Sequence, residues 1–381
     1  MRKINYLSIG GFRRLYALNV EMRPLMVLIG PNGTGKTSFL DALNLLAASA
    51  DGRLSKALSD MGGISSISTF GSTDNLAITT TATTGEHADL EYSFSIASRG
   101  AVYEIASETL REGEKKHIDA GAHVGTILAG DVHYFDPRTQ AVSHPTWEYD
   151  RHETALSQAP RAYPHPNALR DILKSVSHYH ALDVGRNAPI KLPQQMEPVL
   201  HPGENGENLF SFLYNLREMH PERYESIEDT MRAAFPGFES LGFPPVAAGM
   251  LFMTWKEKFF KNLIYANQLS EGTLRFLWLT SLLQSPVSGA LVLIDEPEVS
   301  LHPEMLSLLA DLLREASQRM QIVVATHSDR LVRFMRPDEV AVMDMDDDGH
   351  STLHWADSLN LNEWLKDYSL DELWQMGTLK G

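Results

Sequence analysis

The run GPNGTGKTS, Gly30 to Ser38, places one glycine, four residues, and then Gly35, Lys36 and Thr37 in immediate succession. An apolar stretch, Leu25 to Ile29, leads into it, and an amphipathic stretch beginning at Phe39 follows. A strand, a glycine-rich turn and a helix in that order form the setting in which this spacing binds phosphate. Gly30, Gly33 and Gly35 let the chain turn so that backbone N–H groups of the loop surround an anion; Pro31, which has no N–H, Asn32 and Thr34 make up the rest of its body. The helix that opens at Lys36 adds the partial positive charge of its N-terminus. Lys36 is placed to reach the β- and γ-phosphates of a nucleotide, Thr37 to ligate Mg²⁺, and Ser38 to close the loop.

A second signal lies far along the chain. In LVLIDEPEVSLHP, Leu291 to Pro303, an apolar strand ends in Asp295 and Glu296. Strand ends in a parallel sheet are where ligands bind, so the pair is expected beside the phosphate loop. Asp295 would then hold the hydrated Mg²⁺, and Glu296 would polarise the water attacking the γ-phosphate. In VVATHSDRL, His327 follows another apolar strand and is placed to sense the γ-phosphate. Leu269-Ser270-Glu271-Gly272-Thr273 opens a further helix, and Ser270, Gly272 and its first N–H groups make a second anion site. Two copies arranged head to tail would bring each Ser270 to the other's nucleotide.

The 381 residues carry 43% hydrophobic residues, a formal charge of −16 and no cysteine. Such a chain can bury a large core but is not a generally basic, nucleic-acid-coating protein. Disulfides and thiolate chemistry are excluded, no apolar run approaches the ~20 residues of a membrane span, and a cytoplasmic location fits. Local basic candidates are Arg13–Arg14 and the cluster Lys256, Lys258, Lys261. The acidic run Asp344 to Asp348 reads as a solvated turn.

Strands are expected at 4–9, 15–20 and 25–29, then a helix from Lys36 to about Ala48. LAITTTAT, DLEYSFSIAS and AVYEIASETL alternate as an antiparallel meander. From Arg111 to Pro202 the pattern is weak, with a helical run near Asn167–Val176 and a strand at His178–Leu182. His178 and His180 could resemble a metal pair, but the sequence places no carboxylate or cysteine pattern beside them, which favours a structural role. Helices follow at Leu209–Met219 and Pro221–Ala234, then Gly272–Gln284 and Pro303–Gln318, alternating with strands Leu291–Ile294, Gln321–Ala325 and Glu339–Met343. The division is 1–110 and 251–381 as the two parts of an ATPase head, with 111–250 as an inserted lobe.

In this order the motifs resemble the ABC-type ATPase heads of the SMC and RecF group: an α/β P-loop NTPase head with a mixed, mainly parallel core sheet, an antiparallel β meander and an inserted, mostly helical lobe. Over nearly its whole length the chain is similar to the compact bacterial "predicted AAA family ATPase" group, which lacks a long coiled coil. The matching segments are HYFDPRTQ (133–140), GENLFSFLYNLREMHPERY (206–224), LSEGTLRFLWL (269–279) and the ending YSLDELWQMGTLKG. The resemblance implies ATP and Mg²⁺ as cofactors, ATP-driven homodimers, and work on DNA or RNA or with a separate effector such as a nuclease or toxin, in repair or phage defence. Three departures stand out. Glu271 occupies a signature position usually held by glycine, His302 replaces a common aspartate, and no metal-sensing glutamine is evident in Gly62–Thr73. Slow or partner-dependent hydrolysis is therefore expected. The competing readings are a nucleotide-regulated binding module with little turnover, and a chain whose middle region carries a nuclease.

Overall fold

The computed structural model describes residues 2–69, 75–85, 87–99, 102–121, 131–136, 139–286, 291–359 and 368–378. The end of the Gly62–Thr73 run, residues 137–138 of the 133–140 segment and the last three residues lie outside it. At its centre five strands run parallel, in the spatial order Ser177–Tyr179, Leu291–Asp295, Gln321–Ala325, Leu25–Ile29, Val340–Met345. Ser351–Trp355 pairs antiparallel at the far edge. The phosphate-loop strand thus lies inside the sheet, with the strand leading to His327 on one side and the strand leading to the acidic pair just beyond.

Alternation along these strands explains why they read as unbroken apolar runs. Leu25, Val27, Ile29, Val292, Ile294, Ile322 and Val324 enter one hydrophobic core. Met26, Leu28, Leu291, Leu293, Val323 and Ala325 enter another on the opposite face. A sheet buried on both sides has no polar face to alternate with. The first core is completed by helices Leu209–Met219, Pro221–Ala234, Glu271–Leu283 and Met305–Ala316. The second holds helix Lys36–Asp51, whose Phe39, Leu40, Leu43 and Leu46 are buried beneath a second sheet.

That second sheet is antiparallel and larger than the expected meander. Its eight described strands run Leu15–Glu21, Lys3–Phe12, Leu76–Thr83, Leu90–Arg99, Val102–Glu112, Lys115–Gly121, Val132–Asp136 and Ala141–Ser143. The poorly patterned middle therefore gives three strands to this sheet, and Ser177–Tyr179 to the parallel one. Glu108 ties the middle down: its buried carboxylate accepts from the N–H groups of Ala155 and Leu156 and from the Tyr92 hydroxyl. Burial pushes that carboxyl up to about 7. The strand expected at His178–Leu182 ends at Tyr179, and the helix expected from Pro303 begins at Met305, after a turn in which the Met305 N–H donates to His302. Asp344–Asp348 closes the final hairpin, with Asp346 Oδ1 accepting from the N–H groups of Asp348 and His350.

Candidate functional site

The phosphate loop has the backbone its glycines allow. Gly30, Gly33 and Gly35 take φ of 149°, 82° and 102°, all in the region disfavoured for side-chain-bearing residues. At Gly30 space is an equal constraint, because a Cβ there would lie 2.2 Å from the Met343 carbonyl oxygen. Thr34 is fully buried and donates its hydroxyl to Pro31 O at 2.9 Å, so it braces the loop from within. Helix Lys36–Asp51 starts without any side-chain cap, leaving its first N–H groups aimed into the cradle. Lys36 Nζ donates to Gly30 O (2.7 Å) and Pro31 O (3.2 Å). Burial lowers its pKa to about 8, against the opposing pull of Glu296 and Asp295. Thr37 is exposed at the mouth and Ser38 half-buried.

A cleft of about 280 Å³ opens over this loop, lined by Arg13, Arg14, Gly33, Gly35, Lys36, Thr37, Ser38 and His327. Sequence reasoning offered Arg13 and Arg14 only as a generic basic patch. Here the turn of the first hairpin carries both into the phosphate cleft. Arg13, itself at φ 50°, is held by Asp41 Oδ2 at 2.5 Å. Arg14 donates to Gly349 O at 3.2 Å.

The acidic pair arrives at the same edge. Asp295 ends its strand opposite Ala325, and Glu296 N–H donates to Ala325 O at 2.8 Å, with Glu296 in a left-handed conformation (φ 53°). Burial raises the Asp295 carboxyl above the usual range, and the neighbouring Glu296 charge adds to this. His327 Nε2 lies 3.6 Å from Glu296 Oε1. Glu298 went unnoticed in the sequence. Its Oε1 accepts from the Thr326 hydroxyl at 2.5 Å, and Thr326 Oγ1 in turn accepts from Ser328 N–H at 2.9 Å. The loop after Asp295 is thereby fastened to the loop that bears His327.

The third element packs against the loop that follows Asp295, its helix residues Arg275, Trp278 and Leu279 lining a small pocket with Asp295, Glu296 and Val299. Ser270 caps helix Glu271–Leu283, its Oγ accepting from the Thr273 N–H at 3.2 Å, and both Ser270 and Glu271 are exposed. Gly272 is constrained within its own chain as well. A Cβ there would meet Ser300 O at 2.5 Å, so this glycine lets the helix press against the loop following Glu298 within the same chain. Glu271 sits in the first helical turn, where a carboxylate complements the helix dipole.

No curated protein matches this sequence. Among solved structures, the chain is similar to an Smc head bound to the C-terminal winged-helix domain of ScpA, with 16% identity, TM-score 0.53, and coverage of 92% of this chain and 97% of that one. It is also similar to an Smc head with an extended coiled coil, bound to the C-terminal domain of ScpA, from Pyrococcus furiosus, with 13% identity, TM-score 0.55, and coverage of 96% and 100%. These likenesses establish the fold as that of an ABC-type, SMC-like P-loop head. Residues 25–333 match the family described as "AAA domain, putative AbiEii toxin, Type IV TA system", and this chain belongs to that family of ATPases.

Proposed function

We propose that the chain binds ATP with Mg²⁺ and hydrolyses it to ADP and phosphate, switching between monomer and head-to-tail homodimer. The supporting observation is the convergence at one sheet edge of Lys36 in its cradle, Asp295, Glu296 and His327, groups drawn from three separate strands. Gly30 to Ser38 would hold the phosphates, with Lys36 on the β- and γ-phosphates. Thr37 and Asp295 would supply oxygen ligands for Mg²⁺, whose charge would offset that of the phosphate oxygens. Glu296 takes the proton of the attacking water as its oxygen bonds to the γ-phosphorus, and the β–γ bridging oxygen departs with ADP. His327 holds Glu296 or the γ-phosphate in line. Ser270 and the helix N-terminus behind it would reach the nucleotide of the second copy. The nucleotide state would then be passed to nucleic acid or to a separate effector, in repair or phage defence in the cytoplasm. The family's description, which names a toxin–antitoxin system, supports the defence setting.

Glu271 favours one second reading, an ATP-dependent binding module with little turnover. Its carboxylate lies in the first turn of that helix, where its charge would oppose an incoming phosphate. One variant separates the two. Glu296→Gln is expected to keep ATP binding, lose phosphate release and accumulate dimers. If the wild type releases phosphate no faster than this variant, with or without nucleic acid, hydrolysis is not its function.

A further inference from the structure

In the sequence, His178 and His180 lack a third ligand. The fold supplies one. Strand Ser177–Tyr179 lies parallel to Leu291–Asp295, with His178 opposite Leu293 and Tyr179 opposite Ile294, so the next residue, His180, comes level with Asp295. Tyr179 turns into the hydrophobic core, and its two neighbours therefore share the other face, toward helix Lys36–Asp51. One ring nitrogen from each histidine and an Asp295 oxygen all lie within 4.8 Å of one another. The imidazole centroids are 3.9 Å apart.

Two features mark this as more than a chance cluster. His178 is only 7% exposed, and its Nε2 has no hydrogen-bond partner among the described residues. A polar atom left unpaired in the interior is costly unless something else engages it. Its other nitrogen, Nδ1, meets the Asn44 amide at 2.5 Å. As placed, Asn44 Nδ2 faces Nδ1; with the amide turned end for end, which leaves its shape unchanged, Asn44 Oδ1 accepts from Nδ1–H and the Nε2 lone pair is free for a cation, which is how outer-shell groups fix metal-binding histidines. Glu204 adds a further carboxylate close by.

We propose that His178 Nε2, His180 and the Asp295 carboxylate bind one first-row transition-metal dication. Two imidazoles and one carboxylate on one side of an ion, with the remaining positions open, suit Mn²⁺, Fe²⁺, Co²⁺ or Zn²⁺ and discriminate against Mg²⁺, which prefers all-oxygen octahedra. The site shares Asp295 with the proposed nucleotide site. Its occupancy depends on neither ATP nor turnover.

The test uses tag-free protein stripped with chelator, free of nucleotide and held in excess Mg²⁺, titrated with Co²⁺ and followed by visible absorption. One equivalent is expected to bind with the bands of mixed nitrogen–oxygen coordination. His180→Ala, at an exposed position, and His178→Gln should each weaken binding on the order of 10–100-fold. The proposal is overturned if no Co²⁺ binds over Mg²⁺, or if well-folded His180→Ala binds it as wild type does. A protein that binds ATP but not Co²⁺ sinks this inference alone, whereas one that binds Co²⁺ through these residues but not ATP sinks the nucleotide reading.

Discussion

Gly272→Ala opposes two physical effects and lets their magnitudes decide. Residue 272 lies in the first turn of helix Glu271–Leu283, where alanine should stabilise by up to about 1 kcal/mol through helix propensity. Against this, the new Cβ would stand 2.5 Å from Ser300 O, where ordinary carbon–oxygen contacts are about 3.3–3.6 Å. Neither side yields easily. The helix buries ten of its residues, from Thr273 to Leu283, and Ser300 is already in the left-handed region at φ 64°. Relieving an overlap of this size in packed structure costs about 1–3 kcal/mol.

The expected net loss is therefore about 1–2 kcal/mol, read as a lower urea midpoint with an unchanged slope and a melting temperature lower by a few degrees. ATP affinity of the monomer should not move, because the contact lies within one chain between a helix and a loop and not at the phosphate cradle. Should Gly272→Ala prove more stable than wild type, propensity has won and the close approach to Ser300 is not what the glycine serves. Should monomer ATP affinity fall while stability holds, Gly272 belongs to the nucleotide site instead.

Three other perturbations probe the site. Lys36 has a pKa lowered to about 8 by burial, and phosphate charge will raise it, so ATP binding should take up a proton above about pH 8 and none well below it. Affinity then falls as pH climbs past that value; calorimetry in buffers of different ionisation enthalpy reads the uptake, and an identical uptake in Lys36→Arg would refute the assignment. Glu298→Ala removes the acceptor for Thr326 and should cut phosphate release tenfold or more with ATP affinity within about twofold, since His327 loses its placement rather than the nucleotide its cradle; equal losses in both would point to general disruption. Ser270→Arg should bind ATP normally yet form no ATP-dependent dimers by light scattering, and wild-type dimerisation would remove the head-to-tail arrangement.

What the sequence could disclose follows from how each feature is encoded. The phosphate loop is legible because its glycines stand for local requirements, positive φ at three positions and contact with the Met343 carbonyl at one. The parallel strands are legible because burial on both faces leaves only apolar residues in them. The added strands of the antiparallel sheet were hidden because KKHIDAG, Lys115 to Gly121, alternates poorly, and the edge strand Ala141–Ser143 is too exposed to need an apolar pattern.

The site divides along the same line. Lys36 begins a helix, Asp295 ends a strand, and Glu296 and His327 follow strand ends by one and two residues, so a motif could point to them one at a time. Arg13, Glu298, Gly272 and the pairing of His178 and His180 with Asp295 acquire meaning only when distant segments meet, and no local pattern records such a meeting. The histidine pair shows the consequence most directly. Set aside for want of a carboxylate, it receives one because the sheet places its short strand beside the one that ends in Asp295. If the proposed metal site is occupied, an imidazole pair at that place would put nitrogen ligands where the rest of the site offers oxygen, and strand order would then decide metal selectivity as much as any motif.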